Sequence, residues 1–515
     1  MKILWADDEI DLLKPHILFL EERGYEVLPV TSGNDALDVM AEEPVDLVFL
    51  DENMPGMSGL DTLTALKELH PTLPVVMITK SEEEHIMEEA LGSKISDYLI
   101  KPVNPKQILL TIKKYTEARR LVSEKSMLSY QQEFRAIGMR LMEPMNYTDW
   151  MELYKRLVYW EIELSDNDDD NIHGILQSQK EEANRQFCRY FERNYVDWLR
   201  GTSDKPTLSP MLLRERMMPL LDGKRPTFLI VIDNFRYDQW KYLQPLFEQM
   251  FRIEKDSLYY SIVPTTTQFA RNAMFSGLMP AEIERKYPQY WVNEDEEGYK
   301  NQFENELLEE NLRRNGIQIR HSYNKVLNAQ FGAKLVDGVN KLMHNPLNVV
   351  VYNFIDMLSH ARTDSNIVRE LAADERSYRS VTRSWFEHSP LADLLKVLSE
   401  RDVNVLLTTD HGSVRVDNPV RVRGDKEVSV NLRYKQGRLL EYNTDEVFEV
   451  KDPTTLFLPK RHITSPYIFA HENDFFAYPN NYNQYVQYYH STFQHGGISM
   501  EEVLIPWVEM RSKKS

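Results

Sequence analysis

VDLVFLDENMPG, residues 45–56, is an apolar run that stops at an aspartate and passes into a Pro-Gly turn. A buried strand of a parallel sheet reads this way when it delivers its last residue, here Asp51, to the carboxyl edge where ligands bind. Outward from it the pattern repeats: KILWA at 2–6, YEVLPV at 25–30, PVVMIT at 74–79 and DYLIK at 97–101, with amphipathic stretches between them. Five such units predict a doubly wound α/β domain with a five-stranded parallel sheet over residues 1–118. Asn104-Pro105 has the form of an N-cap and first-turn pair opening its last helix, which can run on through the charged stretch Lys113–Lys125.

The residues that close these strands share a chemistry. Asp7 and Asp8 end the first strand, Asp51 the third, Thr79 the fourth and Lys101 the fifth, just before Pro102. Three carboxylates suit a hard cation such as Mg²⁺. The Asp51 carboxylate is placed to attack a phosphoryl donor, while Lys101 and the ion neutralise charge on the transferred group and Thr79 bonds the product. The set ADD at 6–8, DENMPG at 51–56, IT at 78–79 and YLIKP at 98–102 resembles the flavodoxin-like receiver domain of two-component response regulators. The resemblance implies phosphorylation of Asp51 by a sensor histidine kinase, Mg²⁺ held by Asp7, Asp8, Asp51 and the backbone of Asn53, and a Thr79–Tyr98 switch with Lys101. Lys80 stands where many receivers carry a small residue.

Residues 119–222 show helical periodicity and no strand pattern. Trp150, Leu153, Tyr154, Leu157, Val158 and Ile162 fall on one face, and a helix over 171–200 is expected to stop at Gly201. This middle domain reads as a spacer, a dimerisation surface or both. The run Asp166, Asp168, Asp169, Asp170 lacks the glycine and the twelfth-position glutamate of a calcium loop and reads as a solvated connection.

Strand and helix alternation resumes over 223–515, with expected strands at 226–233, 257–263, 347–354, 403–410 and 501–508. Asp233 closes the first of them. DMLSH places Asp356 and His360 four apart, on one face if helical; TDHG supplies Asp410 and His411; QHGGIS supplies His495. These six N and O ligands suit two zinc ions. PTTTQFAR at 264–271 offers a hydroxyl at a helix start: Thr267 is the preferred nucleophile, with Thr266 the alternative. Taken singly, each of these residues has an ordinary structural reading as a cap or a solvated pair. Their order along strand ends is what singles them out.

The IDNFRYD and PTTTQFAR blocks resemble the PglZ branch of the alkaline phosphatase superfamily over about 223–510. That resemblance implies an alkaline-phosphatase-like α/β domain. It also implies one zinc on Asp233, Thr267, Asp410 and His411, and a second on Asp356, His360 and His495. Asn234 would donate to a phosphoryl oxygen. The three parts in this order resemble response regulators tied to type IX secretion and gliding in Bacteroidetes. This further implies action on cyclic or linear oligonucleotides, contact with a sigma factor or a secretion component, and a homodimer formed on phosphorylation. The competing expectation is a PglZ-like domain whose zinc serves folding and which binds protein.

Composition narrows the classes. With 61 Lys+Arg against 80 Asp+Glu, the net charge is −19, and no basic recognition helix is present, so sequence-specific DNA binding is not expected. A single cysteine, Cys188, permits no intrachain disulfide and no thiolate cluster. No signal-peptide run and no apolar stretch near 18 residues is found, and a cytoplasmic protein without a membrane span is expected. Against the acidic background, 415–438 carries Arg415, Arg421, Arg423, Lys426, Arg433, Lys435 and Arg438, and 478–489 carries Tyr478, Tyr482, Tyr485, Tyr488 and Tyr489. They read as a charged β-hairpin and a packed aromatic loop, or alternatively as an oligonucleotide groove with stacking tyrosines. His321, His344, His462 and His490 lack ligand spacing and are read as structural.

Overall fold

The computed structural model describes residues 1–70, 73–80, 95–165, 170–293, 296–424, 429–460 and 465–513; of 116–128, 170, 364, 366 and 367 it describes the backbone only. The chain forms two compact units, Met1–Ser129 and Tyr130–Ser515.

In the first unit β1 (Lys2–Ala6), β2 (Glu26–Val30), β3 (Leu47–Asp51), β4 (Val75–Thr79) and β5 (Asp97–Ile100) form an all-parallel sheet in the order β2-β1-β3-β4-β5. Side chains alternate between two cores. Ile3, Trp5, Phe49 and Ile78 pack on one face, and Leu4, Ala6, Val48, Leu50 and Met77 on the other. Both faces are covered, which is why these strands read as continuous apolar runs. The helix Gly59–Leu69 is capped by Ser58, whose Oγ accepts the Asp61 N–H at 3.1 Å. Its first residue must be glycine, because a Cβ on Gly59 would stand 2.2 Å from the Asp51 carbonyl oxygen. The last helix, Pro105–Leu141, opens at the expected Asn104, whose Oδ1 accepts the Lys106 N–H at 2.9 Å.

The second unit begins with helices. Tyr147–Glu163 is opened by an Asn146–Asp149 capping box, and Asp170–Arg200 is followed by Gly201 in the left-handed region at φ 68°. The acidic run at Asp166, Asp168 and Asp169 lies outside the described residues, as does His462. Then comes a six-stranded mixed sheet built from β6 (Thr227–Ile232), β7 (Phe251–Tyr260), β8 (His321–Val326), β9 (Leu347–Tyr352), β10 (Asn404–Thr408) and β18 (Leu504–Ser512), in the order β7-β18-β10-β6-β9-β8. Strands β8, β9, β6 and β10 run parallel, β18 is antiparallel to β10, and β7 is antiparallel to β18. Three small sheets pair β11 (Val414–Arg415) with β17 (Phe493–Gln494), β12 (Asn418–Arg421) with β16 (Asp474–Ala477), and β13 (Tyr434–Gln436) and β14 (Phe448–Val450) with β15 (Tyr467–Phe469).

Several sequence expectations are corrected here. The strand expected at 257–263 spans Phe251–Tyr260, because its polar first half pairs as an edge with β18. The one expected at 501–508 starts at Leu504, after the short helix Met500–Val503 capped by Ser499. Strand β8, HSYNKV, was not expected: it is a polar, half-buried edge with no apolar run to announce it. The basic segment 415–438 is not a hairpin, since its strands pair elsewhere, β12 in parallel with β16 and β13 antiparallel to β15. Among the described residues no helix is long and apolar enough to cross a membrane.

Candidate active site

Two constellations stand at the carboxyl ends of the two sheets. In the first unit, Asp7, Asp8 and Asp51 bring carboxylate oxygens within 4.8 Å of one another. Lys101 Nζ lies 2.9 Å from Asp7 and 2.8 Å from Asp51, so one ammonium bridges both buried carboxylates. Burial pushes the Asp51 carboxyl above its ordinary range, the Asp7 charge adds to the push, and Lys101 offsets only part of it. Thr79 Oγ1 donates to the carboxylate of Glu52, the neighbour of Asp51. Tyr98, on β5, is 40% exposed. Asp8 and Asn53 are exposed, which leaves the pocket open on one side. An all-oxygen donor set of this kind fits Mg²⁺.

The second constellation is deeper. Asp233 follows β6, and Asp410 and His411 follow β10, the neighbouring strand; their ligand atoms lie within 4.8 Å of one another. Thr267 joins them from the helical turn Thr267–Arg271, with Oγ1 3.1 Å from Asp233 Oδ1 and 3.2 Å from His411 Nε2. Thr266 Oγ1 is buried and has no hydrogen-bond partner, and Thr265 donates to the Gly497 carbonyl at 2.9 Å. Among the three threonines, Thr267 is thus the one hydrogen-bonded to this acid–imidazole group. The turn TDHG needs its glycine, since a Cβ on Gly412 would lie 2.0 Å from the Glu501 carbonyl oxygen.

Asp356 and His360 sit one turn apart on the helix Phe354–Asp364 that follows β9, and His495 comes from the loop after β17. His360 Nε2 is 3.5 Å and His495 Nε2 3.4 Å from the two oxygens of Asp356. The two groups meet where the rings of His411 and His495 stack, with centroids 4.4 Å apart. Both of these rings turn Nδ1 toward a backbone carbonyl, His411 to Gly412 at 3.1 Å and His495 to Thr265 at 3.2 Å. When Nδ1 donates in this way, the neutral ring presents Nε2 as its ligand atom.

Electrostatics separate the acids. Burial drives Asp233 well above the usual carboxylate range, with Arg271 pulling against it and Asp410 and Asp356 pushing the same way. Burial opposes charge on Asp356 as well, but His495, through its hydrogen bond and charge, holds that carboxyl below its ordinary value. His411 is pulled down to about 4 by burial, so at neutral pH its imidazole is uncharged. The Oδ2 of Asp410 is buried and accepts no hydrogen bond. An orphaned carboxylate oxygen beside imidazole nitrogens is a donor set that fits zinc, with Asp233, Asp410, His411 and Thr267 around one position and Asp356, His360 and His495 around the other.

Asn234 adopts the left-handed region at φ 62°, a conformation asparagine tolerates better than most residues. Its N–H points to Asp410 Oδ1 at 3.5 Å, its amide donates to Ser359 at 3.3 Å, and its Oδ1 is buried without a partner. Sequence reasoning passed over Arg271, although it closes the PTTTQFAR block four residues after Thr267. This fully buried guanidinium lies 3.0 Å from Asp233 and donates to Glu304 at 2.7 Å. A third acidic trio, Glu161, Asp238 and Glu375, is already neutralised by Arg236, Arg379 and Lys180. In the basic segment, Arg433 is buried and paired with Glu502 at 2.6 Å and Lys435 is buried, so neither faces a groove; Lys426 lies outside the described residues. Tyr482, Tyr485 and Tyr489 pack against a core of Val414, Val416 and Phe475, which agrees with the packed reading; Arg421 covers the Tyr482 ring at 4.5 Å.

Comparison with known proteins matches each part. The family model described as the response regulator receiver domain covers residues 3–113, the PorX response regulator linker domain 120–199, and the BREX system PglZ alkaline phosphatase-like domain 212–510. The receiver part is similar to the transcriptional regulatory protein CpxR of Escherichia coli K12, 38% identical over 114 residues, which are 22% of this chain and 47% of that protein. It is also similar to the response regulator SaeR of Staphylococcus epidermidis, 32% identical over 108 residues, 21% of this chain and 47% of that one. The chain thus spans about half the length of the curated relatives it matches. A solved chemotaxis protein, CheY4 of Vibrio cholerae, shares 28% identity over 22% of this chain and 97% of its own, with a TM-score of 0.22. Since the PglZ model takes in 212–510, more than half of the 515 residues, the chain belongs to the PglZ alkaline phosphatase-like family, joined to a receiver through a PorX-type linker in the architecture of PorX-like response regulators.

Proposed function

We propose that the chain is a receiver-controlled, two-zinc phosphodiesterase acting on linear or cyclic oligonucleotides. The observation that carries this reading is the Thr267 hydroxyl, 3.1 Å and 3.2 Å from the donor atoms of Asp233 and His411, beside the second group of Asp356, His360 and His495. Zinc ions on these two groups would supply Lewis-acid stabilisation of the developing charge and lower the pKa of the hydroxyl. The Thr267 Oγ–P bond forms as the P–O bond to the leaving alcohol breaks, and the hydroxyl proton ends on that alcohol. Water then attacks phosphorus from the opposite side, the Oγ–P bond breaks and Thr267 regains a proton. Arg271 holds Asp233 in register throughout, and the Asn234 amide would donate to a non-bridging oxygen. The preference for diesters rests on the family resemblance.

Control belongs to the receiver. Asp51 accepts a phosphoryl group from a sensor histidine kinase with Mg²⁺ on Asp7, Asp8, Asp51 and the Asn53 backbone; Thr79, Tyr98 and Lys101 respond, and phosphorylation promotes a homodimer. We assign the functional parts to 1–118, 119–222 and 223–515, place the protein in the cytoplasm, and connect it to type IX secretion through a sigma factor or secretion component. The deciding experiment is turnover of a generic phosphodiester and of short linear and cyclic oligonucleotides by zinc-loaded protein, with Thr267→Ala as the blank. Turnover lost in the variant at unchanged zinc content supports the enzyme. Two bound zincs without turnover above the blank replace it with a zinc-stabilised protein-binding module.

A further inference from the structure

One face of the Asp170–Arg200 helix touches both of the segments that carry the chemistry. Asn184 accepts the Met500 N–H at 2.9 Å through Oδ1 and donates to the Glu501 carboxylate at 3.0 Å through Nδ2. One turn later the buried Cys188 thiol donates to the Ile498 carbonyl at 3.1 Å and its sulfur accepts the Glu472 N–H at 3.4 Å. After another turn Glu192 bonds His471, whose backbone bridges to Ile498. Tyr195, buried, then accepts the Val263 N–H at 3.2 Å through its hydroxyl. Positions 184, 188, 192 and 195 form a single helical stripe.

What this stripe holds is specific. Ile498 and Met500 lie just after His495, and Val263 leads through Pro264 to Thr267. The Glu501 carbonyl is the atom that excludes any side chain at Gly412, next to His411. Most of the groups bonded are backbone donors and acceptors, and one that is buried loses a hydrogen bond when the side chain is cut back. We propose that this face of the helix is a positioning element of the hydrolytic site: it fixes the His495 loop and the Thr267 segment relative to each other. The segment matched as a linker is in this respect part of the active-site scaffold, and a shift of the helix would move both loops together. The consequence at the metals rests on the two-zinc reading above; the contacts do not.

The test uses the full chain with Tyr195→Phe, Cys188→Ala and Cys188→Ser, and Arg193→Ala on the exposed face as control. Two readouts are taken: amide hydrogen exchange of the metal-free protein by mass spectrometry, and zinc affinity by competition with a chromophoric chelator. Tyr195→Phe is expected to speed exchange around Val263, and Cys188→Ala around Ile498, each about tenfold, with zinc binding weakened about tenfold. Cys188→Ser, which keeps a donor for the Ile498 carbonyl, should restore both readouts, and Arg193→Ala should change neither. Unchanged exchange in Tyr195→Phe and Cys188→Ala overturns the proposal, as does faster exchange with zinc affinity intact. A wild-type chain that binds no zinc is a different result: it overturns the two-zinc reading, and the exchange of the metal-free protein alone then decides the positioning role. Should Cys188→Ala fail to fold, Tyr195→Phe alone decides.

Discussion

The two candidate sites share a plan and differ in chemistry. Each gathers aspartates at the carboxyl ends of neighbouring parallel strands, Asp7 and Asp51 after β1 and β3, Asp233 and Asp410 after β6 and β10. In each, a cation from the chain is already among them: the Lys101 ammonium in the receiver and the Arg271 guanidinium in the PglZ-like domain. The receiver pocket offers oxygen alone and keeps Asp8 in solvent, a setting for a hard, exchangeable ion and a modification that comes and goes. The second site adds three imidazoles and buries Asp410 and His411 completely, a setting for tightly held zinc. The same kind of sheet edge thus carries two different donor sets, set apart by their atoms and their burial.

The comparison breaks most visibly at the ligands. Asp356→Ala is expected to remove one of the two zinc ions and to lower turnover by about 10³-fold or more, on the order of 4 kcal/mol of transition-state stabilisation, while labelling of the receiver by acetyl phosphate stays intact. Zinc content, turnover and labelling on one preparation check this, and a loss of labelling would show that the sites are not separable. Next in size is metal removal. A zinc-selective chelator should destabilise the Tyr130–Ser515 unit by about 4 kcal/mol if zinc stands near a thousandfold above its dissociation constant. Unfolding followed by hydrogen exchange in β6 and β10 reads this loss, and β3 should not respond.

A smaller effect is expected from Asp51→Ala. It should abolish the acetyl-phosphate-dependent change in oligomeric state seen by light scattering and leave zinc content untouched. The same mass shift in the variant would take the receiver out of control. The smallest concerns pH. The folded receiver holds the Asp51 carboxyl above its unfolded value, so the native state binds the proton more tightly, and stability contributed by this residue rises as pH falls through the folded pKa. Asp51→Asn should flatten that dependence just above the ordinary aspartate range of about 4. Protection of β3 amides, compared between the two proteins across pH, is the measurement.

Much of the receiver was legible because its strands are covered on both faces and announce themselves as apolar runs, several ending at a candidate site residue such as Asp51 or Thr79. The candidate site of the PglZ-like domain was legible as a set of residues but not as a structure. Asp356 and His360 could be paired through helical spacing, whereas Arg271 stood unremarked inside a quoted motif. Its partner Glu304 lies 33 positions away, and nothing local marks it. Strand β8 escaped because an edge strand needs no apolar face, and the basic stretch misled because Arg433 and Lys435 turn inward, Arg433 to pair with Glu502.

By itself, then, the sequence determined the order of the parts, the fold class of each and the residue types from which both sites are made, because local periodicity and strand-end chemistry are written along the chain. Which threonine stands beside Asp233 and His411, that Arg271 is the cation accompanying Asp233, and that one face of a middle helix grips the loops of Thr267 and His495 were decided only by tertiary structure. Those relations join residues far apart in the chain through buried hydrogen bonds and charges, and their geometry exists only once the core has closed around them.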